Sequence, residues 1–556
     1  MTKSSKDFLF PLFLGLASFL LVVGYKVLNV NNIGWLENGD PATYFISWNF
    51  FRFSEWAFPL GMNPMYGTIS PNSIVYSDTN ILFALFFKLF RKFLPETFQY
   101  FGLWILCCFI LQSIFSWKLV SLFSDNVQVR SLTAILFVFS PAFLWRLDVH
   151  VMHLMLLGHF LILASLYLAV KFKISDTLNY YQWAILLSLA ILIQAYIAFM
   201  CFFIFLSVFI DKFLSLKDKK FFELIKFFFI SSAIIFLAWT VGFFAVGSGV
   251  SANGFGFYKM NLLALIDPSM NHYQPWSYLM PNIPGENGQH EGFNYLGLGI
   301  ILLSLLSIRT FFKNKADILA FLNKYKYFRY ALILLTFYAL SNVIHFAGFK
   351  VIKIPLPDYF LKVLNVFRAS GRVFWPVFYT IILFNIYLLV KYIDQKKAIL
   401  LMYFFVGIQL IDTSSGWLDI KSHLSMHSSK WTSNLNNSFW DKASGQYKKM
   451  VYTKPGLPEN WENLAYFASQ NSMFTNIAYL TRYDLEKQNS FYKTLEVNLL
   501  NKDFKSDTLY ILDADSFSKL YTLIRNDKLC NGDLISIVDG VRFLAPGFNK
   551  TKCILK

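Results

Sequence analysis

Apolar stretches of roughly 15 to 20 residues recur along the first three quarters of the chain, long enough or nearly so to cross a bilayer as helices. They fall at 8–28, 98–116, 131–147, 152–170, 182–196, 197–210, 227–246, 294–308, 328–347, 373–390 and 398–415. The pattern therefore predicts about eleven transmembrane helices. The first follows Lys3 and Lys6, holds Lys26 near its end and lacks a small-residue cleavage signature, so it reads as a retained span. The run from Gln182 to Ile210 is too long for one span and is interrupted at Gln194 and Tyr196, which predicts a tight helical hairpin. From about residue 417 the pattern changes to mixed polarity. There 449–452 and 508–512 read as strands, 459–470 and 516–525 as helices, and 535–544 as a strand pair around Asp539-Gly540. The expected architecture is an all-α polytopic membrane domain over 1–416, followed by a small α/β domain over 417–556.

Composition agrees. The 556 residues are 56% hydrophobic, 19% aromatic and 15% charged, and the mean hydropathy is +0.46. That apolar share exceeds the roughly 45–50% of soluble domains and excludes a soluble enzyme. Fifty Lys and Arg against 33 Asp and Glu leave a charge of +17. In a soluble protein that excess would suggest nucleic acid, but here it lies beside the spans. If the N-terminus is cytoplasmic, the clusters around Lys118 and Arg130, Lys171 and Lys173, 212–226, 309–329 and 391–397 all fall on the inner side. About 20 cations then fall in roughly 75 inner residues, against about 11 in roughly 150 outer ones, as the positive-inside rule requires. Nucleic acid is set aside as a partner, and membrane lipid takes its place. An odd number of spans exports the tail, so the expectation is a multi-pass plasma (inner) membrane protein with an extracytoplasmic C-terminal domain. Large outer loops at 29–97, 247–293 and 348–372 accompany it, and loops of such length are usually functional. One stretch departs from the charge rule: 81–94 carries Lys88, Arg91 and Lys92 on the outer side, is too short to span, and reads as an amphipathic surface helix. Cys107, Cys108 and Cys201 lie in apolar stretches, leaving Cys530 and Cys553 as one candidate exported disulfide.

The candidate chemistry lies in the outer loops. Asp40, in Gly39-Asp40-Pro41, is a carboxylate at the membrane boundary or else a helix cap. Asp78 offers the same choice. Asp148, His150 and His153 are spaced to line a polar site or, less specifically, to hold a divalent cation. Arg368 and Arg372, at i and i+4, share a helix face if the segment is helical, and their guanidinium forks suit phosphate; a snorkelling anchor is the alternative. Glu291, Asn294 and Tyr295 stand in a Gly- and aromatic-rich loop suited to sugar hydroxyls or to ordinary turns. Lys26 and Asp412 sit at predicted span ends. Walker and dinucleotide-binding patterns do not occur.

These loops resemble an uncharacterised bacterial family of polytopic membrane proteins related to GT-C glycosyltransferases. The resemblance runs through GDPATYFISWNFFRFSEWAFPLGMNPMYG (39–67), SIVYSD (73–78), LPETFQYFGLW (94–104), the His153 and His159 spacing, GFGFYKMNLLALIDP (254–268), GQHEGFNYLGLG (288–299) and FRASGRVFWP (367–376). It implies an inverting transferase that moves a sugar from a polyprenyl-phosphate donor to a cell-surface glycan or lipid, with no tightly bound cofactor and a divalent cation left open. In that reading Asp40 is the base, where many relatives carry two adjacent acids. Arg368 and Arg372 hold the phosphate, and Asp78, Asp148, His150, His153, Glu291, Asn294 and Tyr295 line the pocket. The competing expectations are a flippase for a lipid-linked glycan and an inactive scaffold whose tail binds glycan.

Overall fold

The computed structural model describes residues 3–246, 253–269, 274–426, 428–525, 532–548 and 554–555. Cys530 and Cys553 lie outside them, and with them the candidate disulfide; Cys107, Cys108 and Cys201 are free thiols. The chain is mostly helical and divides into two compact units. One comprises 1–30, 100–235 and 253–427; the other comprises 31–99, 236–252 and 428–556.

The first unit is a helical bundle, and several of its helices are those of a membrane-spanning protein. Among the described residues, six helices are long and apolar enough to cross: Phe101–Val120, Leu154–Ser175, Ala195–Ser215, Lys220–Thr240, Ser370–Tyr392 and Gln395–Met426. A seventh is added if Val127–Val138 and Pro141–Leu147, bent by 41° at their junction, count as one. The remaining four expected spans do form helices, but the apolar helices Phe8–Val22, Tyr180–Ile193, Leu298–Lys313 and Lys326–Leu340 are all shorter than 18 residues, the last three having 14, 16 and 15. At 1.5 Å per residue they reach about 21 to 24 Å, short of a hydrocarbon core of about 30 Å. The hairpin expected within 182–210 is present, and the break falls at Gln194, whose backbone is extended. Asp412, in contrast, is not at a helix end. Gln395–Met426 continues past it for 14 residues to Met426, and Thr413, Ser414 and Ser415 return their hydroxyls to carbonyls of the same helix. The Asp412 carboxylate accepts hydrogen bonds from the Tyr295 hydroxyl at 2.8 Å, the Leu298 amide at 3.3 Å and the Ser277 hydroxyl. A buried carboxylate so satisfied is a structural clamp: it holds the start of Leu298–Lys313 against the long helix.

The second unit contains the α/β domain. Its six-stranded sheet runs in the order Phe474–Thr475, Lys449–Tyr452, Thr508–Ile511, Val541–Ala545, Leu534–Val538 and Ile554–Leu555. The expected strand pair is an antiparallel hairpin closed by Asp539 and Gly540, both at positive φ, as a two-residue turn of the type favoured in hairpins requires. Asp539 also accepts from the amides of Asn436 and Asn437 and from the Trp440 indole, at 2.8 to 3.0 Å. Tyr510, Leu512, Ile535 and Leu544 form the core with Leu499 and Leu520.

The loop 29–97 was expected to belong with the membrane domain, but residues 31–99 pack into this second unit. Its helix Gly39–Phe53 buries Pro41 through Arg52. Asn49 donates to the Ser469 hydroxyl at 3.0 Å, and Phe45 stacks on Trp431, which stacks on Tyr466. Met65 and Gly67 exchange backbone hydrogen bonds with Thr475 at 2.9 Å, so the loop caps the sheet edge. At the other end of the loop, Ile33 donates to the Ser429 carbonyl at 3.0 Å. A Cβ on Gly34 would stand 2.0 Å from the Ser428 carbonyl oxygen. Backbone cannot yield as a side chain can. Gly34→Ala is therefore expected to open the tail of the full-length protein to limited proteolysis, at a cost of about 1–3 kcal/mol. Gly445→Ala, whose Cβ would meet nothing within 4 Å, should leave the digestion pattern unchanged.

Candidate functional site

Three segments far apart in sequence meet in the first unit: the 3-10 turn Trp145–Leu147 with the chain that follows it to His153, the 3-10 turn Gln289–Gly292, and the turn Ser370–Phe374 that begins a candidate span. Two glycines make the approach possible. A Cβ on Gly371 would lie 2.4 Å from the Cα of Gly292, and one on Gly292 would lie 2.5 Å from the Lys259 carbonyl oxygen. Asn294, fully buried, ties the two turns together by donating to the Gly292 carbonyl at 2.9 Å and the Gly371 carbonyl at 3.3 Å. The Gly371 amide in turn donates to the Tyr258 carbonyl at 3.0 Å. Gly371→Ala is expected to part these turns and destabilise the protein by about 1–3 kcal/mol. Thermal unfolding in detergent would read the loss, with Gly407→Ala, where a Cβ meets nothing within 4 Å, as the silent control.

At the junction stands Glu291, with a side chain 5% exposed. Arg372 grips it with both prongs, Nε to Oε2 at 2.8 Å and Nη2 to Oε1. Arg146 donates to Oε2 at 2.8 Å and His153 Nδ1 lies 3.7 Å from Oε1. Burial pushes the Glu291 carboxyl up, but Arg372, His153 and Arg146 outweigh it and hold it well below the usual carboxylate range. Arg146 is wholly buried and lies 5.0 Å from the centre of the Trp375 ring; Arg372 lies 4.9 Å from that of Tyr196. Two guanidiniums face one carboxylate, so the cluster carries a net positive charge even with His153 neutral. The Arg372 and His153 side chains remain 11% and 15% exposed, which places the edge of that charge within reach of a ligand.

The sequence candidates divide accordingly. Glu291, His153 and Arg372 meet here. Arg368 does not share a helix face with Arg372, because Ala369 lies between two separate 3-10 turns and breaks the helical register. Arg368 instead lies over the Tyr258 ring at 5.7 Å and donates to the Asn253 carbonyl at 3.4 Å. Asp148 accepts from the His150 amide at 3.0 Å, and burial raises its carboxyl above the usual range. His150 is exposed. Among the described residues, no group of three or more His, Cys, Asp or Glu is placed to hold a metal ion. Tyr295 is fully buried against Asp412.

Asp40 and Asp78 belong to the second unit and are both partly exposed. Asp40 lies within the first turn of Gly39–Phe53 and Asn38 takes the cap position, so Asp40 is not the cap itself. Glu462, a partly buried acid of the α/β domain, accepts from the Gly39 amide beside it. Asp78 adopts a left-handed backbone after a 3-10 turn, and Asn80 caps the following helix by accepting from Phe83 at 3.1 Å.

Arg146 was missed by the sequence reading, although a signal existed. It is a cation inside a predicted span, and ionisable groups at such positions are costly enough to mark function. Its partner Glu291 lies 145 positions away, beyond any spacing rule.

Residues 12–414 match the family described as "Domain of unknown function (DUF6311)", and residues 439–546 match the "DUF6311 C-terminal domain". The first match covers more than half of the chain, which therefore belongs to the DUF6311 family. No curated protein matches it.

Proposed function

We propose that this DUF6311 protein is a membrane glycosyltransferase that moves a sugar from a polyprenyl-phosphate donor to a glycan or lipid acceptor on the outer face of the plasma membrane. The observation that carries the reading is the net-positive Arg146–Glu291–Arg372–His153 cluster, held at the start of a candidate span. Guanidinium groups set where an apolar helix begins suit a lipid-borne phosphate, whose chain lies in the bilayer while its anionic head stays at the boundary. The resemblance to GT-C enzymes, together with the place of Asp40 on a partly exposed first helical turn, supports Asp40 as the base.

In the reaction the acceptor hydroxyl oxygen attacks the anomeric carbon from the face opposite the phosphate. The carbon–oxygen bond to phosphate breaks, the bonding pair leaves with the polyprenyl phosphate, and the hydroxyl proton passes to Asp40. Cations stabilise the charge that grows on the departing phosphate, so no nucleotide triphosphate is consumed. Glu291 acts by positioning: it fixes both arginines and prevents their mutual repulsion.

The test is reconstitution in vesicles with a labelled polyprenyl-phosphate sugar and a mixed glycan and lipid acceptor pool. Transfer of label to acceptor, lost in Arg372→Ala, supports the enzyme. Movement of the donor between leaflets without transfer would replace this reading with a flippase.

A further inference from the structure

The helix Ile81–Leu89 and the turn after it direct most of their charge inward. The segment was expected to be an amphipathic helix lying on the surface and carrying Lys88, Arg91 and Lys92. Instead Lys88 is 1% exposed, with its ammonium 3.9 Å from the Phe51 ring centre and 4.7 Å from that of Trp56, and it donates to the Ser54 hydroxyl at 3.1 Å. Burial, with Arg91 beside it, lowers that ammonium to about 8. Arg91 donates to the Ser54 carbonyl at 2.7 Å, and the buried Arg52 donates to the carbonyls of Leu94, Pro95 and Glu96. Most of the cations thus bond inward to the chain, while the outer face is apolar: Leu89 is 68% exposed and Phe93 86%, with Phe86 and Phe90 beside them. Charge turned inward and phenylalanine outward is a costly arrangement against water and a favourable one against hydrocarbon.

The neighbouring chain identifies the occupant. Residues 236–246, at the end of the candidate span Lys220–Thr240, belong to the same unit as this segment. Leu60 donates to the Thr240 carbonyl at 2.7 Å, Ser73 to the Val241 carbonyl at 3.1 Å and Tyr76 to the Phe243 carbonyl at 2.8 Å. Phe58 meets Trp239 edge to face at 4.9 Å. Phe53, Trp56 and Phe58 are themselves exposed, so large apolar groups extend from the end of the span into the loop. Only 11% of that helix's apolar window is buried within the protein, so most of its apolar flank is left without protein cover.

We infer that the face formed by Phe86, Leu89, Phe90 and Phe93, with Trp56 and Phe58, is a bilayer-insertion surface that seats the first outer loop in the headgroup and upper acyl region of a lipid leaflet. Trp56 and Trp239 take the part of the aromatic belt found at membrane boundaries, and Lys92, exposed at the rim, meets anionic headgroups. The inference does not depend on the glycosyltransferase reading, since it concerns where the loop rests and not what the site transforms.

The test places the photoreactive residue p-benzoylphenylalanine, singly, at Phe93, Leu89 and Val497 of the full-length protein. Val497 is a control exposed on the α/β domain of the same unit. The protein is reconstituted in vesicles of phosphatidylethanolamine and phosphatidylglycerol and irradiated, and adducts are identified by mass spectrometry. Phospholipid adducts at 93 and 89, with none above background at 497, are the expected result. A cross-linked dimer at 93 or 89 would assign the face to a second copy and overturn the inference. Unmodified or water-quenched probe at both positions would overturn it equally, and so would lipid adducts of equal yield at 497.

Discussion

Asp40→Asn is expected to lower sugar transfer by about 10² or more while leaving the fold intact. The substitution preserves size and the capacity to accept hydrogen bonds but removes the basicity that takes the hydroxyl proton. Asp40 is partly exposed on the first turn of its helix and does not occupy the cap position, so its amide replacement should not unseat Gly39–Phe53. The measurement is transfer rate at saturating donor, beside a thermal melt of the same preparation. Unchanged transfer would remove Asp40 from the mechanism. Lost transfer with a lowered melting temperature would show that the residue serves the fold. Glu462→Gln is the informative companion, because its carboxyl accepts from the amide of Gly39 and burial raises it above the usual range. If Glu462 only positions the helix start, its loss should alter acceptor binding more than turnover.

Glu291→Gln should be the most destabilising single change in the first unit. It leaves Arg146, with no exposed side-chain surface, and Arg372 facing one another without a counter-charge, a situation that typically costs about 3–5 kcal/mol. The pH dependence has a definite sign. Because the folded protein depresses the Glu291 carboxyl, the stability it contributes is fully present above the unfolded-chain value near pH 4 and is lost as pH falls from there through the folded value. The gap in melting temperature between the native protein and Glu291→Gln should therefore persist from about pH 8 to pH 5 and narrow only in stronger acid. Equal melting temperatures at neutral pH would refute the role. Arg372→Lys keeps the charge but replaces a two-pronged contact with a single ammonium, so an intermediate loss is expected.

The legibility of the fold followed the length scale of the interactions. Apolar runs announce helices because a helix satisfies its own backbone and needs only local sequence; every predicted span is helical in at least part of its length, and Gln194 breaks its hairpin where expected. The tail was legible for the same reason: the strands 449–452 and 508–511, and the hairpin around Asp539-Gly540, rest on alternation and turn chemistry over a few residues. The inward turn of Lys88 was not legible, since spacing on a helix gives the relative direction of side chains but not which direction faces solvent. The split between Arg368 and Arg372 depended on a backbone break at Ala369 that residue type does not announce.

The sequence by itself determined that this is a membrane-spanning chain with a terminal α/β domain, and it drew attention to Glu291, His153 and Arg372. Both conclusions rest on patterns that repeat or cluster within tens of residues. Only the tertiary structure decided that Arg146 joins Glu291 and Arg372, that Tyr295 serves Asp412, and that the segment 31–99 packs with the tail. Each of these is a contact between residues more than a hundred positions apart, made when a bundle or a sheet edge closes, and a chain read in one dimension carries no term for the distance across such a closure.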